Sequence, residues 1–196
     1  MKKKIAITGG IGSGKSTVLK EISKMGYPVF SCDEIYKNVI VLPKYVEEIG
    51  RNFPDCIKEG KVDRKALSNA VFQNQESHKK LNEIAHPLIM DELFRQMENA
   101  TSRLVFAEVP LLFEGNFENA FDGVLVVTRK ITERVKSLLE RDNTTTERIQ
   151  ARIQAQFDYT SKNAVQRYQN CNAYILENDG EIIDLKTKIS QFMQLL

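Results

Sequence analysis

The sequence has no CxxC pair, no apolar run of membrane length, no marked excess of one charge and no internal repeat, and each absence removes a class of function. Cys32, Cys56 and Cys171 are odd in number and far apart. They read as free thiols in a reducing compartment, not as a disulfide framework or a zinc site. Lys and Arg number 28 against 26 Asp and Glu, a net charge of +2, too balanced for a nucleic-acid binder. The three lysines before the first apolar segment are not followed by the apolar region and cleavage site of a secretory leader, and no stretch approaches a membrane span. The expectation is a cytoplasmic protein with no membrane or nucleic-acid partner. With 196 residues, 42% of them hydrophobic, the chain can build one α/β core carrying insertions.

What is present begins at Gly9-Gly10-Ile11-Gly12-Ser13-Gly14-Lys15-Ser16-Thr17. This fits G-x-x-x-x-G-K-[ST], the phosphate-binding P-loop. Lys4–Thr8 is a short apolar run suited to a buried parallel strand. Val18, Leu19, Ile22 and Met25 then recur at helical steps. Glycines allow backbone N–H groups to turn around a polyphosphate, and the helix start adds donors and partial positive charge. Lys15 can reach the β- and γ-phosphates and Ser16 can ligate Mg²⁺. The motif predicts nucleoside triphosphate binding without distinguishing kinase, ATPase or GTPase.

Gly26–Phe30 reads as a turn and second strand, followed by a helix with Ile35, Val39 and Ile40. Asp33 stands at that helix start, either as an N-cap or as a carboxylate that receives a proton from a substrate hydroxyl. Residues 42–100 show no convincing strand. Helices are expected around Tyr45, Val46 and Ile49, around Ala66 to Phe72, around Leu81, Ile84 and Ala85, and again after His86-Pro87 along Ile89, Leu93 and Met97. This helical insertion is either a platform for a second substrate or a layer packed on the sheet. Leu104–Ala107 is a third strand, ending at Glu108, an acidic residue placed to support Mg²⁺. Leu111, Leu112 and Phe113 follow, for packing or for binding. Val124–Val127 and Ala173–Leu176 are further strands, and Asn178-Asp179-Gly180 is a turn before a last helix. Between Arg129 and Arg167 nine basic residues face five acidic ones, either as a solvated face or as an arginine-bearing lid over phosphates. Thr144-Thr145-Thr146-Glu147 reads as a capping box. On its helix Arg148, Arg152 and Gln156 should share one face, and Ile149, Ile153 and Phe157 another.

Taken in order, the P-loop, Asp33, Gly60–Arg64 with Leu67, Val71-Phe72, Leu81–Pro87, Pro110–Glu114, Arg141-Asp142, Arg152–Gln156, Lys162 and Asn178 resemble the dephospho-coenzyme A kinase family over nearly the full length. The resemblance implies a P-loop kinase fold: an α/β domain with a five-stranded parallel sheet in order 2-3-1-4-5. Its core would be 1–41, 101–129 and 170–196, with a helical acceptor-side insertion at 42–100 and a lid at 130–165. It implies transfer of the ATP γ-phosphoryl group to the ribose 3′-hydroxyl of dephospho-CoA, with Mg²⁺ as cofactor, in a monomer or weak homo-oligomer. Lys15, Asp33 and Arg141 would be catalytic. Gly10, Ile11, Gly12, Ser13, Gly14, Lys15, Ser16, Thr17, Arg141, Arg152 and Asn178 would bind ATP, with Asn178 near the adenine. Asp33, Lys37, His86, Pro87, Leu111, Leu112, Phe113 and Glu114 would meet the acceptor. Ser16 would hold the metal, with Glu108 reaching it through water. The chain departs from the family in three places. Ser31-Cys32-Asp33 replaces Asp-Ala-Asp, which concentrates the catalytic role on Asp33. Lys37 replaces an Arg, keeping the charge without the bidentate fork. Glu108 replaces an Asp.

Overall fold

The computed structural model describes residues 2–72 and 74–196, with the Phe72 side chain outside the described atoms. In chain order its main elements are β1 (Lys3–Thr8), α1 (Lys15–Lys24), β2 (Val29–Ser31), α2 (Cys32–Val39), α3 (Pro43–Asn52), β3 (Ile57–Lys58), β4 (Lys61–Val62), α4 (Arg64–Phe72) and α5 (Gln75–Asn99). They continue with β5 (Leu104–Glu108), β6 (Gly123–Thr128), α6 (Ile131–Asp142), α7 (Thr146–Gln154), α8 (Lys162–Asn170), β7 (Ala173–Glu177) and α9 (Ile182–Gln194).

The main sheet runs β2-β5-β1-β6-β7, the expected 2-3-1-4-5 order. β1 pairs in parallel with β5 and β6, and β6 with β7. Its strands are continuous apolar runs because helices cover both faces of such a sheet. Ile5, Ile7, Phe106, Leu125, Val127 and Leu176 form one core with Val18 and Ile22 of α1 and Leu185, Ile189 and Phe192 of α9. Each buried aliphatic or aromatic side chain contributes on the order of 1.5–3 kcal/mol.

The chain divides into two compact units, one from 2–29 with 100–196 and the other from 30–99. The second starts before residue 42 because α2 packs on α5, as do α3 and α4. Ile35, Val39, Tyr45, Ile49, Ala85, Met90, Leu93 and Met97 are among its buried residues. Inside it Tyr36 and Tyr45 meet edge to face, their hydroxyls 3.0 Å apart.

Three local expectations are corrected. A strand pair does occur within 42–100: β3 and β4 form an antiparallel hairpin, Ile57 opposite Val62. Its turn residues Glu59 and Gly60 both have positive φ, 51° and 71°, as a two-residue hairpin requires. The two helices expected on either side of His86-Pro87 are one, α5, with Pro87 inside it. The apolar period carries across the proline, so packing outweighs the hydrogen bond it removes. The helix from Thr146 ends at Gln154, and its N-cap is Thr145, whose hydroxyl accepts from Arg148 N. Gln156 and Phe157 therefore lie beyond α7, and the Thr144–Glu147 capping box is not formed. A capping box closes α9 instead, between Glu181 and Asp184.

Candidate active site

The loop between β1 and α1 is shaped by its glycines. Gly9, Gly12 and Gly14 adopt φ of 146°, 77° and 97°, conformations that a Cβ opposes. A side chain at Gly9 would also strike the Val127 carbonyl, 2.1 Å away. Gly14 caps α1, and its carbonyl accepts from Thr17 and Val18 N–H. Lys15 is buried, and its ammonium bonds the Gly9 and Gly10 carbonyls at 2.9 and 3.3 Å. Ser16 and Thr17 face outward on the first turn. The Ser13 hydroxyl is buried with no hydrogen-bond partner among the described residues.

Amides that turn inward around an anion leave their carbonyls pointing elsewhere, and buried carbonyls need partners. The structure supplies them from distant chain. Asn178, just past β7, donates its side-chain amide to Ser13 O at 2.9 Å. Arg134 of α6 donates Nε–H to Ile11 O at 2.8 Å. Gln156 accepts from Ile11 N–H at 2.7 Å, and the Tyr159 and Thr8 hydroxyls lie 3.1 Å apart. Burial pulls the Arg134 guanidinium below its ordinary value, opposed by the Tyr159 phenol. Burial likewise pushes the Tyr159 phenol up to about 12, against the Thr8 hydrogen bond. Arg134, Gln156 and Tyr159 were not singled out as site residues from sequence. The basic excess between 129 and 167 was the signal that covered Arg134.

Arg141 and Arg152 come together on one carboxylate. Arg141 Nε is 2.5 Å from Asp142 Oδ1 and Arg152 Nη1 is 2.7 Å from Oδ2. These guanidinium groups, Arg141 first, hold the Asp142 carboxyl well below the ordinary range. Both arginines remain exposed.

The segment 110–117 folds as tight turns, with Gly115 N bonded to Leu111 O and Phe117 N to Leu112 O. Leu112 and Phe113 are 0% and 1% exposed, so packing accounts for both. Phe113 stacks on Phe157 at 4.8 Å and meets Tyr159 and Tyr168. Leu111 and Glu114 are the two candidates here that reach the surface, and Glu114 accepts from Phe157 N–H at 2.9 Å. Glu118, in the 3₁₀ turn Glu118–Ala120, pairs with Arg167 of α8. The Arg167 guanidinium also covers the Phe113 and Phe157 rings at 5.0 and 5.5 Å.

In the second unit, Ser31 occupies the N-cap position of α2 without a side-chain hydrogen bond, and Asp33 follows in the first turn. Asp33 is exposed, and its carboxylate makes no hydrogen bond or ion pair among the described residues. The capping alternative for Asp33 is therefore not realised. Lys37 pairs with Glu34 at 2.6 Å on the same exposed face. His86 and Pro87 lie in α5, and burial, then His78, lowers the His86 pKa.

The donor set suits a hard divalent cation. Ser16 offers a hydroxyl at the head of α1, and Glu108 ends β5 in register with Ile7 of β1. No cluster of three His, Cys, Asp or Glu able to hold a metal occurs among the described residues. No helix among the described residues is long and apolar enough to cross a membrane.

A family model described as dephospho-CoA kinase matches residues 3–184. A dephospho-CoA kinase of Thermus thermophilus is 35% identical over 182 residues, 93% of this chain and 86% of that protein. One of Fusobacterium nucleatum is 32% identical over 194 residues, 98% and 97% of the two chains. Among solved structures, a crystal structure from Thermus thermophilus matches with a TM-score of 0.82 at 33% identity, covering 100% of this chain and 98% of that one. A dephospho-CoA kinase from Campylobacter jejuni matches with 0.66 at 27% identity, covering 99% and 96%. A shikimate kinase from Bacteroides thetaiotaomicron, 13% identical with a TM-score of 0.54 over 98% and 97%, shares the fold alone. A phosphate loop braced on every side, in a chain matched almost end to end by one kinase family, leads to one assignment: this chain belongs to the dephospho-CoA kinase family.

Proposed function

We propose that the protein transfers the γ-phosphoryl group of ATP to the 3′-hydroxyl of the dephospho-CoA ribose, giving coenzyme A and ADP, the final step of coenzyme A synthesis. The observation that carries this reading is the glycine loop at 9–14 with Lys15 buried in it, in a member of this kinase family.

The loop from Gly10 to Thr17 and the Lys15 ammonium bind the triphosphate and stabilise charge that spreads over the transferring group, while the Ile11, Ser13 and Thr17 amides are held within the protein. Lys15 exchanges its carbonyl partners for phosphate oxygens. Ser16 would hold Mg²⁺, with Glu108 reaching it through water; the ion supplies neutralisation of phosphate charge. Asp33 accepts the proton of the acceptor hydroxyl, and its lack of other partners among the described residues leaves the carboxylate available. Arg141 and Arg152 turn from Asp142 to the phosphates. Asn178 approaches the adenine from the position where it braces Ser13 O. Lys37, His86, Pro87, Leu111 and Glu114 contact the acceptor, while Leu112 and Phe113 shape its loop from within. The protein works in the cytoplasm as a monomer or weak homo-oligomer.

A coupled assay of ADP release with Mg²⁺-ATP tests the reading. Release should depend on dephospho-CoA and match coenzyme A one to one. ADP release indifferent to dephospho-CoA, or no coenzyme A formed, would overturn it.

A further inference from the structure

Both polar groups of Ile11 are held by side chains from distant chain. Its N–H goes to Gln156 Oε1 and its C=O to Arg134 Nε. In a trans peptide the C=O and the following N–H point in opposite directions, and the described chain has no cis peptide. Drawing the Ile11 carbonyl toward Arg134 therefore aims the Gly12 N–H the other way. The preceding peptide is turned oppositely: Gly10 O faces Ser13 N and Lys15 Nζ, so Ile11 N–H faces Gln156. Two side chains thus set the alternation of peptide planes at the loop's tip.

Gly10 fits the same account. Its backbone is not in the left-handed region, and the motif leaves this position open to any residue. Yet a Cβ there would stand 2.3 Å from Arg134 Nη2. Glycine at this position admits the guanidinium. The cation is half-buried and has no carboxylate partner among the described residues. The Gln156 end of the grip is fixed in turn, since Phe157 N–H is held by Glu114 and Tyr159 by Thr8.

We infer that Arg134 and Gln156 are positioning residues for the triphosphate, acting through the peptides on either side of Ile11 to turn the Gly12 N–H toward the phosphates. The inference rests on the proposed function, since it names how that site is pre-shaped.

The test uses Arg134→Met, Gln156→Met, Gly10→Ala and the Gly10→Ala/Arg134→Met pair in the full chain. ATP binding is read by calorimetry without acceptor, amide exchange at Ile11 and Gly12 by NMR, and folding by Tm. Arg134→Met should weaken ATP binding about tenfold, about 1.4 kcal/mol, and Gln156→Met about threefold. Gly10→Ala should match Arg134→Met, and the pair should be no worse than either single change. Arg134→Lys should recover part of the loss. Ile11 N–H exchange should quicken in Gln156→Met while the amides of β1 and β6 keep their protection. Wild-type ATP affinity in Arg134→Met, additive losses in the pair, or unchanged Ile11 exchange in Gln156→Met would each overturn the inference. Lys15→Ala serves as reference. Failure of the wild-type protein to bind ATP would sink the parent reading, with the exchange arm then deciding whether the grip exists.

Discussion

Arg167→Met should destabilise the protein strongly although it touches none of the proposed phosphate ligands. Glu118 is 7% exposed, and its Oε1 takes both Nε and Nη2 of Arg167. Its Oε2 is buried without a partner among the described residues. Methionine keeps most of the apolar stem that packs on Phe113 and Phe157, so the change removes charge more than volume. What is left is a buried carboxylate with no counter-ion, which costs about 3–5 kcal/mol. Loss of the 3.1 Å bond to Asn116 and of the ring contacts adds to this in the same direction. At about 2–4 °C per kcal/mol for a chain of this size, Tm should fall by roughly 10 °C. The double variant Glu118→Gln/Arg167→Met should recover most of the loss, because replacing a buried pair as a whole is close to neutral. Thermal unfolding followed by circular dichroism measures both. A fall of less than about 2 °C in Arg167→Met, or a double variant as unstable as the single one, would refute the reasoning.

Asp33→Asn should lower kcat by about 10²–10⁴-fold while ATP affinity by calorimetry stays near wild type; full turnover in that variant would remove Asp33 from the mechanism. Tyr159 has its phenol raised to about 12 by burial, above the unfolded value of about 10. Its share of stability is complete below pH 10 and is lost as pH rises through 12. Urea midpoints at pH 9 and pH 11 should therefore differ less in Tyr159→Phe than in wild type, and parallel losses would contradict this. Pro87→Ala should raise Tm, since proline inside a helix costs up to about 3 kcal/mol relative to alanine. It should also raise the KM for dephospho-CoA; a lower Tm would show that Pro87 supports α5. Asp142→Asn should leave Tm nearly unchanged, because exposed pairs contribute little, but should alter the KM for ATP by freeing Arg141 and Arg152; an unchanged KM would separate these arginines from the nucleotide.

The parts of the fold that depend on local pattern could be read from sequence, and the misses have identifiable physical causes. The strand, glycine loop and helix at 3–24 lie together, and their periods change at the glycines. β3 and β4 are two residues each, too short to show alternation, and Glu59-Gly60 is a weaker hairpin signal than Asn-Gly or Asp-Gly. Pro87 suggested a break, but Leu81, Ile84 and Ala85 already kept the helical phase of Met90, Leu93 and Met97, and the packing of α5 against α2, α3 and α4 decided the outcome. At Thr144–Glu147 a run of three threonines offered alternative caps, and spacing alone could not choose Thr145.

The site follows the same division between near and far. The P-loop motif names the groups that turn toward an anion, because those groups are its own amides and its lysine. It says nothing of the carbonyls turned away, which must be satisfied by whatever the fold brings. Here Ser13 O is answered by Asn178 and Ile11 O by Arg134, while Gln156 accepts from the Ile11 N–H, all three more than a hundred positions downstream. Lys37 and Glu108 show the converse: both were noticed as departures from a pattern, and the structure places Lys37 in an exposed pair with Glu34 and Glu108 buried at a strand end beside the loop. A bidentate Arg at 37 would hold Glu34 no better at such exposure, so nothing in the fold asks for one there. The longer carboxylate at 108 is confined, being buried at the end of its strand. The buried departure is thus constrained by the space around it, while the exposed one meets no such constraint from the fold.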